Sequence, residues 1–502
     1  MVEYRETGAS MFVHFQTLFN ACLSNGRQKE IAMSQIVNGR LASWCLMFGL
    51  AAAQPALAVT QYIGSALIPG TGIDASGLPA ILENGVNANN TLNGFGSAIA
   101  YTGFQNRYVL LPDRGPNATA YAGGAAVDNT VSWVNRYQIY DLTFTPTGGG
   151  NYNVGFQFTD TTLLSNGAGQ NYIGKSNAFV AGSPNDPVNN LRMDPEGIRV
   201  GFNGEVYISD EYGPVVHRFD QSGQRTGSFN VPDYYTIANP NSLAATENSN
   251  VIVPFNTDPR RITNRGMESL AISPDGSTLF GMMQNSLQQD GGTGGNRVRI
   301  LQWDTANPSA APQEYVYLLE PGNRVVSEFV AINDHEFLVV ERDQLAGVNA
   351  AFKRVFNIDL TGATDIAGVA DLDLVAAPTP VQKSLFFDLL TGTGIEPTSF
   401  TALKDLLSDS VNMDLFPEKI EGITFGPTLP DGRLLLLISN DNDFLGVNPN
   451  YVFAFAIDAG DLNFVAQTFA DGLVFGPIPE PATTSLGLMG LAMLFLRRRR
   501  EV

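Results

Sequence analysis

Across most of the chain, apolar and polar residues alternate in short runs, and clusters of Gly, Pro, Asn and Asp interrupt them. Period-two alternation predicts strands with one buried face, and helical spacing is scarce. A longer regularity lies over this pattern. An acidic residue opens a first strand, a turn follows, and a second strand ends in a cluster of Asp, Glu or Asn. One copy runs from Glu196-Gly197-Ile198-Arg199-Val200 through Asn203-Gly204 to Ile208-Ser209-Asp210-Glu211. The next runs from Glu268 through Pro274-Asp275-Gly276 to Gln284-Asn285. Another joins Glu328 through Asn333-Asp334 to Glu341-Arg342-Asp343, and another joins Glu421 through Asp431-Gly432 to Asn440-Asp441-Asn442-Asp443. A weaker opening copy has Gly96 to Ala100 and ends Leu111-Pro112-Asp113-Arg114.

Two further strand-like runs follow most copies, such as Val216–Phe219 with Gly227–Val231, and Val298–Trp303 with Glu314–Leu319. Four strands per repeat without intervening helices predict an all-β fold, a single β-propeller of five or six four-stranded blades. Thr60–Ile68 is a spare strand that completes the last blade beside Tyr451–Ile457, joining the two ends of the domain. A β-sandwich would leave the phased acidic positions unexplained. Val381–Asp414 is expected to be a small, partly helical insertion between blades.

The propeller gives the acidic positions a location. The start of each blade's first strand and the end of its second lie at the same end of an antiparallel pair. Glu196 with Asp210, Glu328 with Glu341, and Glu421 with Asp441 are therefore expected at one mouth of the central channel. Carboxylates gathered in a small space repel unless a cation or arginines neutralise them. Oxygen donors suit calcium, and no His/Cys cluster suggests zinc. Arg114, Arg192, Arg265, Arg342 and Lys419 accompany the phrases. His217 and His335 have no partner nearby in sequence, Asn440 to Asp443 lacks EF-hand spacing, and no G-x-S-x-G elbow appears. Gly291–Gly295 follows no strand-to-helix pattern and reads as a flexible loop.

The two ends change the composition that matters. Arg40 precedes an apolar run from Leu41 to Leu50 and an Ala56-Leu57-Ala58 cleavage site, so residues 1–58 read as a signal peptide. Met33 is a plausible start, with residues 1–32 an over-extended beginning. Both cysteines, Cys22 and Cys45, fall within that leader. The exported domain must then hold together by core burial or bound metal rather than disulfides. The last residues read Pro479-Glu480-Pro481, an uncharged apolar stretch Ala482–Leu496, and Arg497–Arg500. Polar turn, short membrane-spanning helix and basic stop together resemble the PEP-CTERM sorting signal. That resemblance implies a transient membrane anchor, an exosortase-type processing enzyme as partner, and delivery to the cell surface or an extracellular polysaccharide matrix. The expected domains are therefore 1–58, 59–476 and 477–502. The chain holds 29 Lys and Arg against 49 Asp and Glu. The leader contains four basic and three acidic residues and residues 479–502 four and two, which leaves 21 against 44 in the domain. Such an excess argues against nucleic acid and suits bound cations.

Asp194-Pro195-Glu196-Gly197, Asn264-Arg265-Gly266-Met267-Glu268, Glu341-Arg342-Asp343 and Lys419-Ile420-Glu421-Gly422-Ile423 resemble the phytase-like family described as having esterase-like activity. Met267 and Ser269 depart from the Phe and Gly of that pattern. By analogy with β-propeller phytases, the resemblance implies calcium at an acidic mouth and hydrolysis of a small phosphoester or ester. Glu196, Asp210, Glu211, Glu268, Glu328, Glu341, Glu421, Asp441 and Asp443 would be ligands or their neighbours. Arg114, Arg265, Arg342 and Lys419 would clamp phosphate, with Glu196 and Glu421 at the reacting centre. A non-catalytic surface propeller stabilised by calcium and a lactonase-like propeller are the alternatives.

Overall fold

The computed structural model describes residues 60–68, 70–116, 130–175, 190–236, 261–262, 264–396, 416–445 and 450–477, with the backbone of 121–122 and 125–126. The expected leader and its cleavage site, and the apolar tail with its arginines, lie outside these residues. Among the described residues no helix is long and apolar enough to cross a membrane.

Five blade sheets form the described fold, with a separate two-stranded ribbon of Tyr121–Ala122 and Ala125–Ala126. Blade 1 comprises Phe95–Tyr101, Arg107–Pro112, Arg136–Gly148 and Asn151–Leu163; blade 2 comprises Pro195–Val200, Val206–Asp210, Val215–Phe219 and Arg225–Ser228. Blade 3 comprises Met267–Ile272, Thr278–Met283, Arg297–Asp304 and Gln313–Leu318; blade 4 comprises Val325–Ala331, Glu336–Arg342, Lys353–Asp359 and Gln382–Asp388. Blade 5 takes Lys419–Phe425, Leu434–Asp441 and Asn450–Ile457 from the end of the domain and Thr60–Ile68 from its beginning. The first strand of each blade packs against the first strand of the next, and blade 5 meets blade 1. The ring is a five-bladed β-propeller. Its closure is the expected one: Thr60 lies opposite Ile457 and Ile68 opposite Asn450 in an antiparallel ladder.

One expectation changes. Gln382–Asp388 is the outer strand of blade 4 rather than the start of an insertion, because it ladders along Lys353–Asp359. Ile395–Glu396 pairs in parallel with Thr60 and Gln61, and residues 397–415 lie outside the description. Gly291–Gly295 lies in the connection before Arg297–Asp304, where its glycines cap and form short 3-10 turns.

Strands covered on both faces by neighbouring blades read as near-continuous apolar runs, and Leu434–Asp441 is buried at every position. Aromatic rings fill the wedges between blades, as where Phe280 of blade 3 meets Phe337 of blade 4 at 4.8 Å between centroids.

Every inner strand carries a register irregularity near its start: Phe95/Ala98, Pro195/Ile198, Met267/Ser269, Val326/Phe329 and Ile420/Ile423. A bulge re-aims the side chains it contains. The glycine after the bulged glutamate has a separate reason. A Cβ on Gly422 would lie 2.2 Å from Ser439 Oγ and 2.9 Å from Ile99 N of blade 1, so a side chain there would part the blades.

Below the bulges, Arg199 bridges the channel. Its guanidinium donates to the carbonyls of Ile99 (3.2 Å), Phe329 (2.5 Å) and Ile423 (3.2 Å), in blades 1, 4 and 5. Glu328 neutralises it at 3.3 Å. The far mouth is crossed by residues 462–477. Val465 N donates to Ile332 O (2.8 Å), Thr468 N to Pro274 O (2.7 Å) and Ala470 N to Phe202 O (2.8 Å). The strap thus visits blades 4, 3 and 2, then reaches blade 1, where Arg107 donates to the carbonyls of Phe475 and Pro477.

Candidate functional site

Strand register sorts the phrase residues into those that face the acidic mouth and those that do not. Successive side chains on a strand point to opposite faces. Pro195 pairs with Asp210, Met267 with Met283, Val326 with Glu341 and Ile420 with Asn440. Aligned on those pairs, the next inner-strand residues are Glu196, Glu268, Ser327 and Glu421. The next second-strand residues are Glu211, Gln284, Arg342 and Asp441, and blade 1, which pairs Phe95 with Pro112, adds Asp113. The mouth is built from these two series.

The series make contact across blades. Arg342 of blade 4 donates to Ser327 Oγ (2.8 Å) and to Glu421 Oε1 of blade 5 (2.7 Å). Asp194, Glu196 and Glu211 gather closely enough to hold a metal ion, as do Asp113, Asp441 and Asp443. The second group surrounds the ammonium of Lys419, at 2.6 Å from Asp443, 3.0 Å from Asp441 and 3.8 Å from Asp113. Arg114 contacts Asp194 and Asn264 Oδ1 (2.8 Å). Arg265 donates to Gln284 Oε1 and to Gln344 Oε1 (2.8 Å), both neutral.

The mouth also holds unsatisfied oxygens, one of them in the first group. Among the described residues, Glu211 Oε1, Glu268 Oε2 and Glu421 Oε2 are buried with no hydrogen-bond partner. Buried polar atoms are normally paired, so orphaned carboxylate oxygens from three blades mark a place that favours a cation. Burial, then the neighbouring carboxylates, pushes Glu196 and Glu268 well above the usual range. Burial likewise raises Glu421 and Asp441 to about 7 and Asp113 and Asp194 to about 6, against the pull of nearby Lys419 or Arg114. Asp443 goes the other way: burial would raise it, but Lys419 holds it below its ordinary value.

Three anticipated ligands sit elsewhere. Asp210 and Glu341 belong to the register positions facing away from the mouth. Asp210 accepts from the backbone of Asp194 (2.9 Å) and Tyr212 (3.0 Å) and borders a separate cavity of about 270 Å³ with Arg192 and His217. Glu341 accepts from Tyr317 Oη (2.6 Å) and Lys383 Nζ (2.7 Å), among outer strands of blades 3 and 4. Glu328 falls one residue past the phase of Glu196 and Glu421, so it turns to Arg199 and to Leu270 N (2.8 Å). Asp113 and Asp194, absent from the anticipated set, stand in the mouth. Their signal was available: Asp113 follows the last paired residue of its strand as Glu211 does, and Asp194 precedes the Pro-Glu-Gly bulge. His217, buried against Ser228 Oγ (2.9 Å), is driven down to about 3 chiefly by burial and stays neutral.

Fold and mouth define a five-bladed β-propeller whose channel is plugged in the middle and acidic at one end. The chain belongs to the phytase-like family: residues 90–444 match the model described as "Esterase-like activity of phytase". Residues 477–500 match the PEP-CTERM protein-sorting motif, which marks the protein for export and for an exosortase-type processing enzyme. An uncharacterized secreted protein of Arthroderma benhamiae is 26% identical over 350 residues, covering 58% of this chain and 64% of the relative's length. Among solved structures, the calcium-binding protein regucalcin of Agrobacterium tumefaciens is 10% identical with a TM-score of 0.31, covering 82% of this chain and 99% of its own. A gluconolactonase of Xanthomonas campestris is 11% identical with a TM-score of 0.29, covering 80% and 99%. Likeness at this level carries no inference about activity.

Proposed function

We propose that the protein is an exported, calcium-dependent hydrolase of small phosphoesters, with its reaction at the acidic mouth. The observation that supports this most is the set of unpartnered, buried oxygens on Glu211, Glu268 and Glu421, beside an arginine whose contacts are neutral. Oxygen-only donors in a partly solvated mouth fit calcium. Asp194, Glu196 and Glu211 would hold the ion, with Glu268 and Glu421 in its surroundings. When bound, such an ion polarises a phosphoryl oxygen and lowers the pKa of a coordinated water.

The chain's own groups have distinct tasks in this reading. Among the described residues the Arg265 guanidinium donates to the amide oxygens of Gln284 and Gln344, so its charge remains available to an anionic ester and its planar fork suits two phosphate oxygens. Arg342 is committed to Ser327 and Glu421 and positions that glutamate rather than the substrate. Arg114 steadies Asp194 in the same way. Glu196 is only partly buried and stands at the substrate side. Maturation after Ala58 and release or anchoring at the cell surface complete the proposal.

The test is hydrolysis of p-nitrophenyl phosphate, phytate, p-nitrophenyl acetate and a simple lactone, each with calcium and with chelator. Calcium-dependent release of phosphate is expected, with Arg265→Gln lowering kcat/KM about 100-fold. Turnover of carboxyl esters or lactones alone would replace the reading with a lactonase-like one. Calcium-dependent stability without turnover would make the propeller a scaffold.

A further inference from the structure

Arg114, Arg342 and Lys419 each sit on a carboxylate at the acidic mouth. Arg114 pairs with Asp194, Arg342 with Glu421 (2.7 Å), and Lys419 with Asp443 (2.6 Å) and Asp441 (3.0 Å). Arg265 is held differently, by the side-chain oxygens of Gln284 and Gln344. A tight turn fixes where it starts. Asn264 takes a left-handed φ of 56°, Arg265 N donates to Ile262 O (3.1 Å), and Gln284 N donates to Gly266 O (3.0 Å). A Cβ on Gly266 would lie 2.1 Å from Glu211 O, so the turn is pressed against blade 2.

Gln284 occupies the register position that Glu211 holds in blade 2 and Asp441 in blade 5. A carboxylate there would neutralise Arg265, whereas an amide oxygen accepts its hydrogen bond and leaves its charge. Burial lowers Arg265, and Glu211 and Glu268 oppose that through space. A cation bound at Glu211 would offset part of that attraction. The Gln284 amide also faces Glu268: burial, then Glu211 and Glu421, pushes that glutamate up, and a hydrogen bond from Gln284 pulls the other way. Glutamine suits both neighbours, because its oxygen accepts from the guanidinium while its nitrogen donates to the carboxylate. A glutamate in its place would repel Glu268.

We propose that Gln284 and Gln344 determine the specificity of the mouth: by holding Arg265 through neutral contacts, they leave its charge to select esters of phosphate over uncharged carboxyl esters and lactones. Both are positioning residues that act through Arg265. This inference rests on the anion-binding role proposed above for Arg265, and adds what keeps that charge open and which substrates it rejects.

The test is binding of phenylphosphonate, a phosphate-ester mimic that resists hydrolysis, to the calcium-loaded protein by calorimetry. Wild type should bind it at least about tenfold more tightly than its uncharged dimethyl ester. Gln344 is only partly buried and Gln284 is buried, so Gln344 is the safer site for an added charge. Gln344→Glu is expected to weaken binding about tenfold. Gln344→Met, which removes the amide without adding charge, should weaken it no more than about threefold. Equal wild-type affinity for the phosphonate and its dimethyl ester would overturn selection by charge, and this arm needs no variant. Unchanged binding in Gln344→Glu, or an equal loss in Gln344→Met, would overturn the role of the amides while leaving the proposed hydrolase intact. No phosphonate binding by the wild type would remove the anion role of Arg265 together with this inference.

Discussion

The two mouths of the channel are made by the same five inner strands and have opposite chemistry. At the acidic mouth, bulges turn Glu196, Glu268 and Glu421 toward the axis, and the ends of the second strands add Asp113, Glu211 and Asp441. At the other mouth the strap of residues 462–477 satisfies backbone carbonyls and buries Phe475 completely. A cavity of about 110 Å³ remains there, bordered by Arg199, Phe425, Phe464 and Gln467. One mouth keeps buried groups unsatisfied, and the other uses extra chain to satisfy them. Stored repulsion is worth retaining only where a ligand relieves it, which is why we place function at the first mouth and structure at the second. Arg199 and Glu328 stand between them.

That contrast can be broken in several ways. The largest effect is expected from Arg199→Met, which strands Glu328 as an uncompensated buried charge and frees carbonyls in three blades. Denaturant unfolding should show a loss of about 3–5 kcal/mol, and a loss below 1 kcal/mol would mean the channel does not depend on this pair. Next comes Phe475→Ala, expected to cost about 3 kcal/mol by cavity formation while calcium affinity stays unchanged. Impaired calcium binding in a folded Phe475→Ala protein would dissolve the division of labour between the mouths.

A third prediction concerns pH. Asp441 and Glu421 are raised to about 7 and Asp113 and Asp194 to about 6, above unfolded values near 4. Between those limits the folded protein holds more protons than the unfolded chain, so these groups make stability fall as pH rises from about 4 to about 7. Chelator-treated protein should therefore lose on the order of 2 kcal/mol between pH 5 and pH 7.5, and calcium should flatten that slope. The sign would be refuted by metal-free stability that rises across this window and is unaltered in Glu421→Gln. The smallest effect is the most specific. Glu268→Gln removes a repelling charge and should stabilise the metal-free protein by about 1 kcal/mol, yet abolish the calcium-induced rise in Tm.

Much of the fold was legible because propeller blades repeat, and a repeat makes weak strand signals add. The closure by Thr60–Ile68 followed from counting strands. The insertion did not, because Leu385 and Phe386 carry no mark separating an outer blade strand from a linker. Within the site, residue type was legible and direction was not. Asp210 next to Glu211, and Glu341 next to Arg342, differ only in which face of a strand they take. Glu328 shows the same limit, since one residue of bulge register sends it to Arg199 instead of the mouth. Arg199 gave no signal at all. An arginine inside an apolar strand looks like an exposed position until five strands surround it.

The proposed calcium position is the group of Asp194, Glu196 and Glu211, beside the orphaned oxygens of Glu268 and Glu421. Anomalous scattering from a calcium-soaked crystal tests it most directly. A peak is expected at about 2.3–2.6 Å from oxygens of Asp194, Glu196 and Glu211. An empty first position at saturating calcium, or a peak beside Lys419 instead, would contradict it.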